Sequence, residues 1–563
     1  MIGSSWKKFL IIFGALLTLN IIFFAFAGAN DFDMATKKGD IHPKLSSRLW
    51  ELEREYETGA MAAKEYAQSR NLKIEYPGKI TVYIILEPGT LIDETSLQSY
   101  SAEIIKQSDN VWKAKIPINK LETIADNVKG ISFIKLPDKA IASAIESEGV
   151  DLAGASSYHS SRYTGAGVKV AVIDVGFAGL SSAISHGELS STTIMIDCTG
   201  SSCTPTDFSS ETDFHGTAVA EIVHDMAPKA KLYLMKIYDT LDLKDAKNYA
   251  IGNGIKIINH SVTYPNTNFL DGRCYYSNAV CSANDAFSKG VLWVNAMGNY
   301  AKRHYGAVFT DLPDPDGGSS DDVVLHDEII YIQANAGDVI YLTLTWDAWP
   351  TTDQDYGFYL FDSDINLVEY GDAYQTGTQP PIEAISYPVP ATDTYYLAIA
   401  KWGTASNHRL AVFSYNHDID PAVASNSIAS PVDATGVLAV SAINYKNWKT
   451  GPQESFSSRG PTSDGRTKPE ISGPDNVASY TYGSSFRGTS AASPHVTGAA
   501  ALILSSNPTY SVSQLWNALT SSAIDMGSSG QDNIYGYGRL NLPPAPPPPI
   551  VTMPWIPLLL LDD

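Results

Sequence analysis

Basic residues are scarce in this chain of 563 residues, which carries 39 Lys and Arg against 61 Asp and Glu and a formal net charge of −22. Because proteins bind phosphate backbones with clustered Lys and Arg, this balance argues against a nucleic-acid partner. Charged residues make up only 18% of the chain and hydrophobic residues 44%, which excludes a disordered chain and favours a globular one. The length indicates two or three folded units.

Cysteine is equally scarce, with four residues in two close pairs. Cys198 and Cys203 lie in "CTGSSC", and Cys274 and Cys281 lie in "CYYSNAVC". Four cysteines permit three connectivities, and the closeness within each pair predicts two local disulfides. No histidine accompanies either pair at zinc-like spacing, which argues against a metal site. Bridges that close such small loops would fix the loops more than the whole fold.

Long apolar runs are absent except near the N-terminus. Lys7 and Lys8 precede an apolar run over residues 9–27, and "AFAGA" follows with small residues suited to cleavage. This pattern predicts a secretory signal peptide over residues 1–29, although the length of the run leaves a membrane anchor open. Either case predicts a protein that is secreted or held at the cell envelope. The proline-rich tail, 546–563, is too short and interrupted to span a bilayer.

Two α/β regions follow one another along the chain. Within residues 30–145, an α/β module at about 79–137 contains the predicted strands "KITVYIILE", "VWKAKIPI" and "ISFIKLP", with helices predicted over 94–106 and 121–129. A second region covers 146–316 and 418–545. There, strands such as "VKVAVIDVGF" and "AKLYLMKIY" alternate with helical stretches, which predicts a mostly parallel sheet with helices on both faces. Ligands of such sheets bind beyond the carboxyl ends of the strands.

The segment 317–417 interrupts this second region with a different pattern. Apolar and polar residues alternate in "EIIYIQANAGDVIYLTLTW", "DYGFYLFDSDINLVEY" and "DTYYLAIAKW", and turn residues separate these stretches. Helical periodicity is nearly absent. The pattern predicts an all-β sandwich inserted into the α/β region.

Four polar residues stand at the expected ligand-binding side of the α/β sheet. Asp174 ends a strand, His215 opens the helix "HGTAVAEIVHDM", Asn299 follows "NAMG", and Ser490 opens the apolar helix in "RGTSAASPHVTGAAALIL". Taken singly, each is better explained as a turn, a cap or a core residue than as a functional one. Their combination at one edge of a sheet predicts a catalytic site.

The four residue types suit nucleophilic catalysis. A serine hydroxyl attacks a carbonyl only when a base takes its proton, and His215 is a base of suitable pKa. Asp174 would orient the imidazole and stabilise its charged form. The amide of Asn299 and the backbone N–H of Ser490, at a helix start, would receive the oxyanion.

The motifs "VAVIDVGF", "FHGTAVAEIV", "INHSVTY", "NAMGN" and "FRGTSAASPHVTGAAAL" together resemble the subtilisin family of serine proteases (subtilases). The chain order Asp, His, Ser is also the order of that family. The resemblance implies a catalytic triad of Asp174, His215 and Ser490, with Asn299 in the oxyanion hole. It also implies a substrate-binding edge strand at Ser261, Val262 and Thr263. Threonine stands at 263 where the family commonly has glycine, which predicts a narrower cleft.

The resemblance extends to the flanking regions. Residues 30–145 are similar to a subtilase propeptide, which assists folding, inhibits the enzyme and is then removed; a permanent N-terminal domain is the alternative. The insertion resembles a pre-peptidase C-terminal type sandwich. The implied function is an exported serine endopeptidase made as a zymogen, acting on protein or peptide substrates and inhibited by its own propeptide. The open alternatives are an inactive binding or scaffold protein on the same fold and, among active enzymes, either a processing protease or a bulk degrader.

The sequence predicts no required cofactor. Acidic loops such as "DLPDPDGGSSDD" are rich in calcium-type ligands but lack the ordered spacing of a calcium loop. Structural calcium therefore remains an open alternative, and no metal-ligating residue is assigned. No membrane partner is expected unless the N-terminal segment is retained.

Overall fold

The computed structural model describes residues 41–70, 72–75, 78–90, 92–138, 141–142, 149–312, 323–483 and 485–547. The predicted signal segment 1–29, most of the acidic loop (313–322) and the tail from 548 onward lie outside these residues. Within the described ranges, no helix is both long enough and apolar enough to cross a membrane.

The N-terminal unit, residues 41–138, is an antiparallel sheet covered by helices. Its helices are α1 (Ser47–Thr58), α2 (Ala60–Ser69), α3 (Glu94–Gln98) and α4 (Leu121–Asn127), and its strands are β1 (Ile74–Glu75), β2 (Lys79–Leu86), β3 (Glu103–Ser108), β4 (Val111–Pro117) and β5 (Ile131–Lys135). The strand order is β1-β2-β4-β3, with β5 also paired to β2. The prediction of one helix over 94–106 is wrong in its second half. A turn with Ser101 at φ 61° ends the helical stretch, and β3 follows.

Between this unit and the next one, the structure describes residues 141 and 142. They form β6 (Ile141–Ala142), a short strand outside the N-terminal sheet. The first part of the α/β unit then contains α5 (Ala155–Ser160), β7 (Lys169–Asp174), α6 (Leu180–His186), β8 (Ile194–Asp197), β9 (Thr204–Pro205), α7 (His215–Met226), β10 (Lys231–Lys236), α8 (Thr240–Gly252), β11 (Ile257–His260), β12 (Val262–Thr263), α9 (Ala279–Ser288) and β13 (Leu292–Ala296).

An all-antiparallel β unit interrupts the α/β unit between residues 304 and 420. Its strands are β14 (His304–Val308), β15 (Val323–Leu325), β16 (Ile330–Ala334), β17 (Val339–Trp346), β18 (Tyr356–Phe361), β19 (Leu367–Gly371), β20 (Ile382–Pro388), β21 (Asp393–Trp402), β22 (Arg409–Ser414) and β23 (Ile419–Asp420). They form two sheets, β14-β22-β17-β20 and β19-β18-β21-β16-β23, with β15 also paired to β21. Both sheets contribute to one apolar core. The first strand, β14, lies before residue 317, so the β unit begins earlier than the alternating sequence pattern predicted.

The chain then completes the α/β unit with β24 (Val437–Asn444), β25 (Ile471–Asp475), α10 (Thr489–Ser506) and α11 (Val512–Ser522). The central sheet has the order β25-β24-β13-β11-β7-β10-β8-β9. All neighbours in it are parallel except β8 and β9. Alternate residues of β7 enter two separate apolar cores, one under α7 and α10 and the other under α8 and α9. The predicted parallel sheet with helices on both faces is therefore confirmed.

The β unit is not packed independently of the α/β unit. Phe413 belongs to the apolar core on the α8 side of the central sheet, and its ring meets Tyr300 edge-on at 5.3 Å. Both predicted disulfides are present, joining Cys198 to Cys203 and Cys274 to Cys281. The first bridge follows β8, and the second spans the approach to α9, so each holds a loop beside a regular element.

Candidate active site

An aspartate and a histidine form a buried pair at the carboxyl end of the central sheet. Asp174 is the last residue of β7 and His215 is the first residue of α7. The Nδ1 atom of His215 lies 2.7 Å from Oδ1 of Asp174, and both side chains are almost completely buried. The Oδ1 atom also accepts a hydrogen bond from the backbone N–H of Val175 at 2.8 Å. This pairing fixes the histidine ring and assigns its proton to Nδ1.

Ser490 stands one residue inside the start of α10, and its burial is complete. Gly488, just before the helix, has φ 134°, a conformation that side chains rarely adopt. The Ser490 hydroxyl donates to the carbonyl of Ser261 at 3.1 Å. That carbonyl belongs to the residue before β12, so the hydroxyl faces the edge strand predicted to bind substrate.

Proline in the first turns of α10 leaves a carbonyl without its helical donor. Pro494 has no N–H to give to the carbonyl of Ser490, four residues earlier. The hydroxyl of Ser261 supplies the missing hydrogen bond at 3.2 Å and also contacts the hydroxyl of Ser493 at 2.8 Å. The side-chain amide of Asn259 donates to Ser261 at 3.0 Å, which extends the network into β11. These contacts hold the serine-bearing turn against the edge strand.

Asn299 lies beside the same turn, beyond the end of β13. Its Oδ1 atom accepts two hydrogen bonds from Thr489, from the backbone N–H at 3.1 Å and from the hydroxyl at 3.0 Å. The Thr489 hydroxyl accepts from the N–H of Gly298 at 3.0 Å. Because the amide oxygen is held in this way, the Asn299 amide group presents its N–H donors away from Thr489, as an oxyanion donor requires.

The edge strand β12 is paired with β6 of the preceding segment. The two strands are antiparallel, with Val262 opposite Ala142 and Thr263 opposite Ile141. Chain 141–142 therefore lies where an extended peptide would add a strand to the sheet edge. The hydroxyl of Thr263 lies 3.1 Å from that of Tyr300, so the threonine in the cleft wall is held by contact with a tyrosine hydroxyl. The narrower cleft stays a prediction.

The structure thus brings Asp174, His215, Ser490 and Asn299 to one edge of the central sheet, with Ser261, Val262 and Thr263 alongside. Three neighbours escaped the sequence analysis. Burial lowers the pKa of His260 to about 4, which keeps that histidine neutral beside the pair of Asp174 and His215. Phe486 meets the His215 ring edge-on at 5.7 Å. Asp475 accepts the N–H of Gly488 at 2.5 Å.

Asp475 offers a test of how the turn before Ser490 is held. Burial raises the pKa of this carboxyl to about 8, far above its value in an unfolded chain. The folded chain therefore binds the proton more tightly, and this group's contribution to stability falls as pH rises from about 4 to 8. Asn keeps the acceptor but cannot ionise. We therefore expect the unfolding free energy of Asp475→Asn, relative to that of the parent chain, to rise by about 2 kcal/mol between pH 5 and pH 8.

The measurement is denaturant unfolding at both pH values, with each chain also carrying Ser490→Ala to prevent self-digestion. Asp464→Asn is the matched control, because the pKa of this largely solvated carboxyl is lowered and not raised. An equal pH dependence in the Asp475→Asn variant and its parent would contradict the assignment.

The chain is similar to known proteins. The model of the subtilase family matches residues 165–342 and 369–538. Subtilisin DY of Bacillus licheniformis is 42% identical over 117 residues, which is 21% of this chain and 39% of that protein. An extracellular serine protease of Serratia marcescens is 31% identical over 161 residues, covering 24% of this chain and 15% of that protein. These alignments span less than half the length of either relative.

A solved structure resembles a larger part of the chain. The CspB protease of Clostridium perfringens superposes with a TM-score of 0.51 at 15% identity, covering 70% of this chain and 98% of the other. At that identity, the likeness concerns the fold alone.

Proposed function

Because this chain belongs to the subtilase family, we propose that it is a serine endopeptidase that hydrolyses peptide bonds within proteins. The observation that carries the proposal is the buried pair of His215 and Asp174, 2.7 Å apart, beside a helix that carries Ser490 in its first turn. All four catalytic positions are occupied by competent residues. This favours a working enzyme over an inactive scaffold on the same fold.

The proposed reaction has two stages. His215 takes the Ser490 proton on Nε2 while Asp174 holds Nδ1, and the serine oxygen attacks the scissile carbonyl carbon. The carbonyl oxygen becomes an oxyanion that receives hydrogen bonds from Asn299 and the Ser490 backbone N–H. Collapse of this intermediate breaks the C–N bond, and His215 returns the proton to the leaving amine. Water, activated by the same histidine, then attacks the acyl-enzyme and releases the acid and Ser490.

The direct test is digestion of an unfolded protein substrate by the purified chain, followed by mass spectrometry of the products. We expect new termini inside the substrate sequence, and we expect a fluorophosphonate to suppress them. Products shortened only from their ends, or cleavage that is unaffected by the fluorophosphonate, would overturn the proposal.

We also propose that the N-terminal unit is an inhibitory propeptide. Its downstream segment, 141–142, pairs with the edge strand at Val262 and Thr263, and Asp174, His215 and Ser490 are buried. Its sheet docks on α8 through buried ion pairs, with Lys113 2.7 Å from Asp239 and Lys106 2.8 Å from Asp242. A substrate cannot use the edge strand while this segment remains there. The predicted N-terminal signal and the two disulfides further support an exported protein.

If the chain removes this unit by self-cleavage, the position of the mature N-terminus can be predicted. We expect the mature N-terminus between residues 143 and 149, because residues 141–142 are held in the cleft and the α/β unit begins just beyond. N-terminal sequencing of the active protein provides the measurement. A stable active chain that still begins upstream of Ile141, with the N-terminal unit covalently attached, would show instead that the unit is a permanent domain.

A further inference from the structure

The β unit has a face that the N-terminal unit covers with two arginines. The Nε atom of Arg70, at the end of α2, lies 2.5 Å from Oε2 of Glu369 on β19. The guanidinium of Arg48, on α1, lies over the ring of Tyr341 at 5.3 Å from its centroid. The hydroxyl of Ser386 on β20 lies 3.5 Å from the carbonyl of Arg70. We call the surface formed by Tyr341, Glu369 and Ser386 the arginine face.

The positive charges around Glu369 come from outside the β unit. The side chain of Glu369 is 6% exposed. Burial raises the pKa of its carboxyl to about 7, and Arg70 and Arg48 oppose this shift, while Glu51 of the N-terminal unit adds to it. When the N-terminal unit leaves, Glu369 therefore loses both arginines that stabilise its charge. A carboxylate and an aromatic ring are groups that bind a guanidinium or ammonium group from another chain.

This face lies on the path that leads into the cleft. Residues 141–142 pair with β12, and the chain just before them, Leu136 to Asp138, lines a cavity of about 100 Å³ together with Tyr341, Thr343 and Tyr415 of the β unit. The chain upstream of the cleft thus runs along the β unit next to the arginine face. A substrate bound in the same direction on β12 would place its upstream part in the same region.

Building on the proposed endopeptidase function, we propose that the arginine face of the mature enzyme binds Arg or Lys side chains in the part of a protein substrate that precedes the scissile bond. The β unit then selects substrates by charge at a distance from the catalytic residues. The net charge of −22 for the whole chain attracts the same class of substrate over longer range. Arg48 and Arg70 of the propeptide occupy in the precursor the positions that substrate cations take after maturation.

The test uses the mature enzyme and peptides that share one cleavage sequence. One peptide carries an arginine-rich extension upstream, one a glutamine-rich extension, and one no extension. We expect kcat/KM for the arginine-rich peptide to exceed that for the glutamine-rich peptide by about tenfold, and we expect this preference to shrink as NaCl is raised. Glu369→Gln should remove most of the preference. Glu328→Gln, the same change on an exposed loop of the β unit, should retain it.

A second measurement does not depend on the Glu369→Gln chain folding and maturing. The arginine-rich extension alone, without a cleavage sequence, should inhibit cleavage of the arginine-rich peptide by wild-type enzyme and leave the unextended peptide unaffected. Equal kcat/KM for the two extended peptides in wild type, or a full preference in Glu369→Gln, would overturn the inference. Failure to cleave even the unextended peptide would instead count against the proposed function.

Discussion

Replacing Ser490 with alanine is expected to lower kcat by about a million-fold, to the residual rate that the oxyanion donors and substrate binding support. Alanine removes the oxygen that attacks the carbonyl, and nothing else on the turn replaces it. Asp174, His215 and the oxyanion donors remain in place, so substrate binding should survive and KM should change little once a second protease has removed the N-terminal unit. The measurement is turnover of a fluorogenic peptide, with circular dichroism to show that the fold is kept.

Ser505→Ala is the matched control, because Ser505 lies on the same helix and its hydroxyl bonds only locally, to the carbonyl of Leu502 at 2.8 Å. We expect this variant to keep wild-type turnover. The Ser490→Ala chain should also retain residues upstream of 143, since self-cleavage needs the same hydroxyl. Substantial turnover by Ser490→Ala would remove this residue from the mechanism.

The second large effect is expected at Asn299. Asn299→Ala should lower kcat by about 10²–10³-fold, because one of the two donors to the oxyanion is lost. The oxyanion forms only in the transition state and the intermediate, so KM should stay within a few-fold of wild type. Steady-state kinetics on a single peptide separate the two parameters.

Thr489→Val provides a graded comparison. Valine keeps the backbone N–H that holds the Asn299 amide oxygen but removes the hydroxyl that also donates to it. We expect a smaller fall in kcat than for Asn299→Ala, because the amide remains present but is less firmly oriented. An unchanged kcat in Asn299→Ala, or a loss confined to KM, would contradict its role as an oxyanion donor.

Sequence patterns predicted the α/β unit, and the strand and helix ends at which the four polar residues lie, because these signals are local. The strand that ends at Asp174 and the helix that begins at His215 follow directly from hydrophobic periodicity. The effect of Pro494 could also be foreseen from its missing N–H. The hydroxyl that donates to the Ser490 carbonyl in place of this N–H could not be foreseen, because it belongs to Ser261, which lies 229 residues from Ser490 in the chain.

Other features depend on contacts between distant segments. The stretch after Gln98 is helix-like in composition but forms β3, where its Lys106 reaches Asp242 on the α/β unit. Alternation identified the β unit but gave no sign that Phe413 would pack against Tyr300 and join a core of the α/β unit. Nor did it indicate that the β unit would meet the N-terminal unit through Glu369. Tertiary packing decides such features, and local propensity does not report it.

The most direct measurement of the central claim is covalent labelling of the mature protein with a fluorophosphonate, followed by digestion with a second protease and peptide mapping by mass spectrometry. The account predicts one phosphonylated peptide, modified at Ser490, and labelling in proportion to the loss of peptidase activity. It also predicts no adduct in His215→Ala after a second protease has removed the N-terminal unit, because Ser490 then lacks its base. An adduct at another residue accompanied by loss of activity, or full activity after Ser490 is modified, would contradict the account.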